Sequence, residues 1–132
     1  RALAEIGASL PSSHMLSLSV LGGENRRKIR DFFAITPHVT GLIAFSDLLA
    51  YEAISVLEEL GCHVPEDISV LGFDGIELSE YSNPRIATLA QPIHQISSLS
   101  VRMLVNMIED GAEASHVTLR AQFRSGGSMG RI

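Results

Sequence analysis

The run Ile68-Ser69-Val70-Leu71-Gly72-Phe73, followed at once by Asp74 and Gly75, limits how this chain can fold more than any other stretch. It is apolar at nearly every position rather than at alternate ones, which describes a strand covered on both faces, the pattern of a central parallel strand. Pro65 fixes φ ahead of the strand. Gly72 and Gly75 permit close backbone approach or unusual dihedral angles around the acid. Such a strand delivers the Asp74 carboxylate to one edge of a sheet.

The remaining elements follow in chain order. Leu3, Ile6 and Leu10 have helical spacing over Arg1 to Leu10, and Pro11-Ser12-Ser13 ends that helix. Leu16 to Leu21 reads as a short apolar strand, Gly22-Gly23-Glu24 as a turn, and Glu24 to Ile35 as a helix closed by Thr36-Pro37. Thr40 to Phe45 is the next strand. Leu48 to Leu60 is a helix burying Leu49, Ala50, Ala53, Ile54, Leu57 and Leu60, with Gly61 as its stop. Of the two polar residues at its start, Asp47 is the expected cap and Ser46 the one left to face a ligand.

Ile76 to Ser82 forms a short helix or loop broken by Asn83-Pro84, and Ile86 to Ala90 a third inner strand. Ile93 to Glu109 is an amphipathic helix expected to turn Ile93, Ile96, Val101, Leu104 and Ile108 inward. Residues 117 to 124 alternate as a half-exposed edge strand, and Ser125 to Ser128 is flexible by composition. Strands and helices joined by short connections imply an α/β fold, a three-layer, doubly wound, mostly parallel sheet.

A chain of 132 residues holds one domain, and a 45% apolar fraction fits a packed core rather than disorder. With a net charge of −5 and no basic block beyond Arg26-Arg27-Lys28, this piece has little attraction for phosphate backbones. The single cysteine, Cys62, fits a reducing cytoplasm, and no apolar run is long enough to cross a bilayer. The chain opens at Arg1, inside a helical spacing and without a methionine, so it is expected to be a fragment.

In open α/β sheets ligands bind beyond the carboxyl ends of the strands. Four polar sets fall there: Gly22 to Glu24, Ser46-Asp47, Asp74 and Gln91. An acid, a hydroxyl and an amide suit the vicinal hydroxyls of a sugar or nucleoside. They are poor material for covalent chemistry, because no Gly-x-Ser-x-Gly elbow, no phosphate-binding lysine loop and no metal-ligand spacing of the five histidines is present. No enzyme activity, cofactor or metal is expected.

Three stretches, in order, resemble motifs of the lactose/galactose repressor (LacI/GalR) family of bacterial transcription regulators. Val64-Pro65-Glu66-Asp67-Ile68-Ser69-Val70-Leu71-Gly72-Phe73-Asp74-Gly75 is similar to the family's signature. Thr40 to Ala50 is similar to its strand followed by an Asn-Asp or Ser-Asp helix start, and Pro84 to Ile93 to its Pro-x-Leu-Thr-Thr-Val-x-Gln-Pro crossover. Phe123-Arg124-Ser125 resembles the closing Val-Arg-x-Ser.

The resemblance implies a periplasmic-binding-protein-like lobe. Residues 1–132 would form most of the C-terminal lobe of an effector-binding and dimerisation domain, with the helix-turn-helix and N-terminal lobe outside this chain. It implies that Ser46, Asp74 and Gln91 face a sugar or purine-like effector. It also implies that Tyr51, Ile54 and Leu78 lie at a homodimer interface, and that crossovers near Ala90-Gln91 and Gln122-Phe123 act as hinges. Operator DNA would be reached only through the absent N-terminal domain, in the cytoplasm. The alternative is a solute-binding protein of a sugar uptake system, which shares the fold and cleft.

Overall fold

The computed structural model describes residues 2–19, 22–36 and 38–130. Its centre is a four-stranded sheet of β1 (Gly41–Ile43), β2 (Ser69–Asp74), β3 (Ala87–Ala90) and β4 (Gln122–Arg124), in that spatial order. β1, β2 and β3 run parallel, and β4 closes the sheet antiparallel to β3. The helices are α1 (Ala2–Glu5), α2 (Asn25–Ile35), α3 (Asp47–Glu59), α4 (Leu78–Tyr81) and α5 (Ile93–Glu109), with a 3-10 turn at Ser12–His14. The mostly parallel sheet is the one the strand composition implies.

The core forms where α3 lies on the sheet. Ala50, Ile54 and Leu57 of α3 meet Ala44, Ile68, Val70 and Ile86. Because α3 is apolar on a second stripe as well, Ala53 and Val56 pack against Ile29 of α2. Arg26 and Arg30 both reach Glu59 across the two helices, at 2.5 and 3.1 Å. These pairs are half exposed and add little to the apolar contact beneath them. Asn25, 2% exposed, fixes the entry to α2 by accepting from the Ser19 amide (3.2 Å) and donating to the Ser19 carbonyl (2.6 Å) and Glu52 (2.9 Å).

Several sequence expectations are corrected. The first helix is short, with Ala2–Glu5 helical and Gly7 at φ 71; Arg1 lies outside the described residues. Leu16 to Ser19 belong to no strand, and Val20, Leu21 and Pro37 lie outside the described residues. An apolar segment becomes a strand only where a neighbouring backbone accepts its hydrogen bonds. Here β1 ends the sheet with Ile43 exposed, and a cavity of about 410 Å³ is lined by Leu16 and Leu18 together with Phe33, Leu42 and Phe45.

Helix α5 has the expected ends, but none of its residues is buried. Of the supposed inward face, Ile93, Val101, Leu104 and Ile108 are exposed and Ile96 is half-buried. Periodicity identifies an apolar face, not the surface that covers it. Likewise only Gln122–Arg124 of the 117 to 124 segment pairs as strand, with all three residues exposed.

The segment Ser125 to Ser128 is not loose. Ser128 is fully buried, its hydroxyl donating to the Val70 carbonyl (2.6 Å) and accepting from the Ala87 amide (2.9 Å). Its backbone accepts from Val70 N–H (2.7 Å) and donates to Arg85 (3.0 Å). A Cβ at Gly126 would collide with the backbone of Arg85 to Ala87, so only glycine lets the chain approach there. The tail thus stitches the amino ends of β2 and β3 together.

Ahead of β2, Asp67 closes the turn from His63, accepting from the His63 amide (2.7 Å) and approaching its Nδ1 at 3.2 Å. The backbone hydrogen bond first, and the side-chain one second, hold the Asp67 carboxyl below its ordinary value. A carboxyl whose pKa is lowered on folding stabilises the turn above its unfolded pKa and loses that contribution as pH falls through the folded value. The Asp67 carboxyl carbon is therefore expected to titrate by NMR below a peptide carboxylate, with the His63 amide shifting in step. An unshifted midpoint would show that the turn does not depend on this bond.

Candidate functional site

The carboxyl ends of the strands carry the polar residues, since β2 and β3 end side by side, with Asp74 in register with Ala90. Asp74 has φ 114, a region that L-residues rarely adopt and that asparagine and aspartate tolerate best. Two contacts hold it: its carbonyl accepts from the Gln91 amide (3.0 Å) and its Oδ1 accepts from Gln91 Nε2 (2.6 Å). A Cβ at Gly75 would run into Ala90, so glycine is required where the chain leaves the strand. Arg124 Nη1 donates to the Gly75 carbonyl (3.3 Å) and comes within 3.9 Å of Glu80.

Asp74, Gly75, Gln91, His94, Gln122 and Arg124 line a cavity of about 360 Å³, which opens where β2 and β3 end and β4 begins. Its walls offer a carboxylate, the three primary amides of Gln91, Gln95 and Gln122, an imidazole and a guanidinium. These groups donate and accept hydrogen bonds and attract small polyhydroxylated molecules or heterocycles. Among the described residues, no group of three or more histidine, cysteine, aspartate or glutamate side chains could hold a metal ion.

The structure brings Asp74 and Gln91 together, as a hydrogen-bonded pair. Ser46 is separate. It is the N-cap of α3, its Oγ accepting from the Leu49 amide (3.2 Å), and it is 9% exposed. The expected cap is therefore corrected: Ser46, not Asp47, caps the helix, and the Ser46 hydroxyl hydrogen is what remains to donate. Asp47 turns into the interior, fully buried. Its Oδ2 accepts from the Ile76 amide (2.8 Å) and its Oδ1 from the Thr88 hydroxyl (2.5 Å).

Sequence reasoning missed this buried carboxylate. Two signals pointed to it: a glycine in the middle of a buried strand marks a close approach, and Thr88 is a polar residue in an otherwise apolar one. A Cβ at Gly72 would drive into the Asp47 carboxylate.

Of the residues expected at a dimer interface, Tyr51 on α3 and Leu78 on α4 are exposed. Ile54 is corrected to the core: it is 3% exposed beneath α3, covered by its own chain, and offers nothing to a second copy.

The family described as a periplasmic binding protein-like domain matches residues 6–129. The chain belongs to that family. The HTH-type transcriptional regulator MalR of Clostridium butyricum is 32% identical over 119 residues, 90% of this chain and 36% of the relative. The HTH-type transcriptional repressor PurR of Aliivibrio salmonicida is 42% identical over 71 residues, 54% of this chain and 21% of the relative. A LacI family transcriptional regulator from Arthrobacter sp. FB24, solved in complex with lactose, superposes with a TM-score of 0.76 at 27% identity. That match covers 98% of this chain and 48% of the solved one.

The periplasmic binding protein-like chain thus spans about a third of MalR and less of PurR. The motif resemblance to the lactose/galactose repressor family is borne out, since these relatives are transcriptional regulators rather than enzymes or uptake proteins. Among the described residues, no helix is long and apolar enough to cross a membrane.

Proposed function

We propose that residues 1–132 are most of the C-terminal lobe of the effector-binding domain of a DNA-binding transcription repressor. The lobe senses a sugar or a purine-like metabolite. The observation that carries this reading is the Asp74–Gln91 pair. An acid in a strained conformation, with an amide bonded to it, lies at the carboxyl edge of a parallel sheet beside a cavity of about 360 Å³. Strain of this kind concentrates at functional sites, where the surroundings hold it in place. The regulators related to this chain favour a sensor over an exported solute-binding protein.

In this reading Asp74 and Gln91 bond ligand hydroxyls or ring nitrogens, Ser46 donates its remaining hydroxyl hydrogen, and a second lobe closes the cleft. Effector binding then shifts the population between two arrangements of the lobes and changes how a separate helix-turn-helix meets its operator. The reading is tested by a thermal-shift screen of the full-length protein against sugars, sugar phosphates, nucleosides and purines, because a ligand that binds only the folded state raises its stability. A saturable shift names the effector class. A flat response across the panel, with operator binding intact, removes the sensor role.

The homodimer in this reading uses the outer face of α3 and α4, where Tyr51 and Leu78 are exposed. Tyr51→Asp places a charge in an interface core and is expected to shift the sedimentation profile toward monomer. An equally tight dimer would move the interface elsewhere.

A further inference from the structure

We propose that Asp47 is the positioning residue of the effector site, a buried carboxylate that sets where Asp74 and Gln91 stand. This rests on the reading of Asp74 as an effector ligand. Asp47 itself is fully buried, so its role is exerted through its neighbours.

The case rests on which donors it accepts from. A buried carboxylate is acceptor-only and needs every oxygen matched. Oδ2 takes the Ile76 amide, two residues past Asp74, and Oδ1 takes the hydroxyl of Thr88, three residues ahead of Gln91. One side chain therefore references both halves of the Asp74–Gln91 pair. Asp47 also follows Ser46 directly, at the start of α3.

The loop that carries Asp74 is held at two points. Upstream, β2 pairs with β3 as far as Asp74 and Ala90; downstream, the Ile76 amide rests on Asp47. Between those points Asp74 takes φ 114 and Gly75 takes φ 73. Releasing the downstream point lets both residues relax to commoner dihedral angles, which swings the Asp74 carboxylate away from Gln91. Gly72 gives the carboxylate room at the sheet, and Thr88, itself fully buried, cannot be reached by solvent to compensate.

The test uses the full-length protein, with lactose, D-ribose and hypoxanthine as probes and hydrogen exchange at the Ile76 amide as a direct readout. Asp47→Ala is expected to speed Ile76 exchange and to weaken binding of the responding probe about tenfold, the scale of one lost hydrogen bond. Asp47→Asn should restore both, because its carbonyl still accepts from Ile76 and the Thr88 hydroxyl can accept as well as donate. In an Asp74→Asn background, Asp47→Ala should cost clearly less than it does alone, because only its effect through Gln91 is left.

Unchanged Ile76 exchange, or an affinity loss that persists in full without the Asp74 carboxylate, would overturn the proposal. If Asp74→Asn alone leaves binding unchanged, the effector reading fails, and Asp47's hold on the loop is then decided by Ile76 exchange alone. Should Asp47→Ala not fold, the near-isosteric Thr88→Val, which removes the donor to Oδ1 and leaves the Ile76 bond in place, is read on affinity alone: weaker binding of the responding probe is expected, and unchanged affinity would overturn the proposal.

Discussion

Ser128→Ala is expected to lower the unfolding free energy by about 2–4 kcal/mol, the cost of leaving two buried polar groups without partners. The hydroxyl is the acceptor for the Ala87 amide and a donor to the Val70 carbonyl, and both residues are fully buried. No solvent reaches the site, so neither group can exchange its lost bond for one to water. The backbone bonds of Ser128 to Val70 and Arg85 would remain, which is why the loss stops short of unfolding the sheet. Denaturant titration checks this: the midpoint should fall with the slope unchanged. A loss below about 0.5 kcal/mol, the range of an ordinary surface substitution, would show that the tail does not hold the strands.

Asp74→Asn is expected to weaken effector binding by about 1.5–3 kcal/mol, the value of charge-assisted hydrogen bonds replaced by neutral ones. Among the described residues the carboxylate has a single side-chain partner, Gln91 Nε2 at 2.6 Å, which leaves further acceptor sites for ligand hydroxyls or N–H groups. Asparagine keeps the size and tolerates the positive φ, so fold and operator binding without effector should be retained. Calorimetric titration of the full-length protein with the responding probe measures the change. Equal affinity in the variant would take Asp74 out of the site.

Much of the architecture was legible in the amino-acid order. The continuous apolar run from Ile68 to Phe73 identified the central strand, and the spacing of apolar residues located α2, α3 and α5 to within a residue or two. The same reasoning placed Asp74 and Gln91 at one edge of the sheet, because successive parallel strands end on the same side and connections are short. Local chemistry did not separate Ser46 from Asp47. Both side chains can cap a helix, and only the opposite strands, which supply the Thr88 hydroxyl and the Ile76 amide, draw Asp47 inward.

The failures share a physical cause. The apolar faces of Leu16 to Ser19 and of α5 are real, but a face becomes a strand or a core only when another surface meets it. Ser125 to Ser128 has the composition of a linker; the gap between the amino ends of β2 and β3 makes it a fixed element, because small residues fit where larger ones collide. By itself, then, the sequence determined the fold class, the central strand and the residues brought to its carboxyl edge, all consequences of local periodicity and chain connectivity. Tertiary structure alone decided which polar side chain points out and which is buried, and whether a polar tail is loose or locked, since both depend on hydrogen-bond partners tens of residues away in the chain.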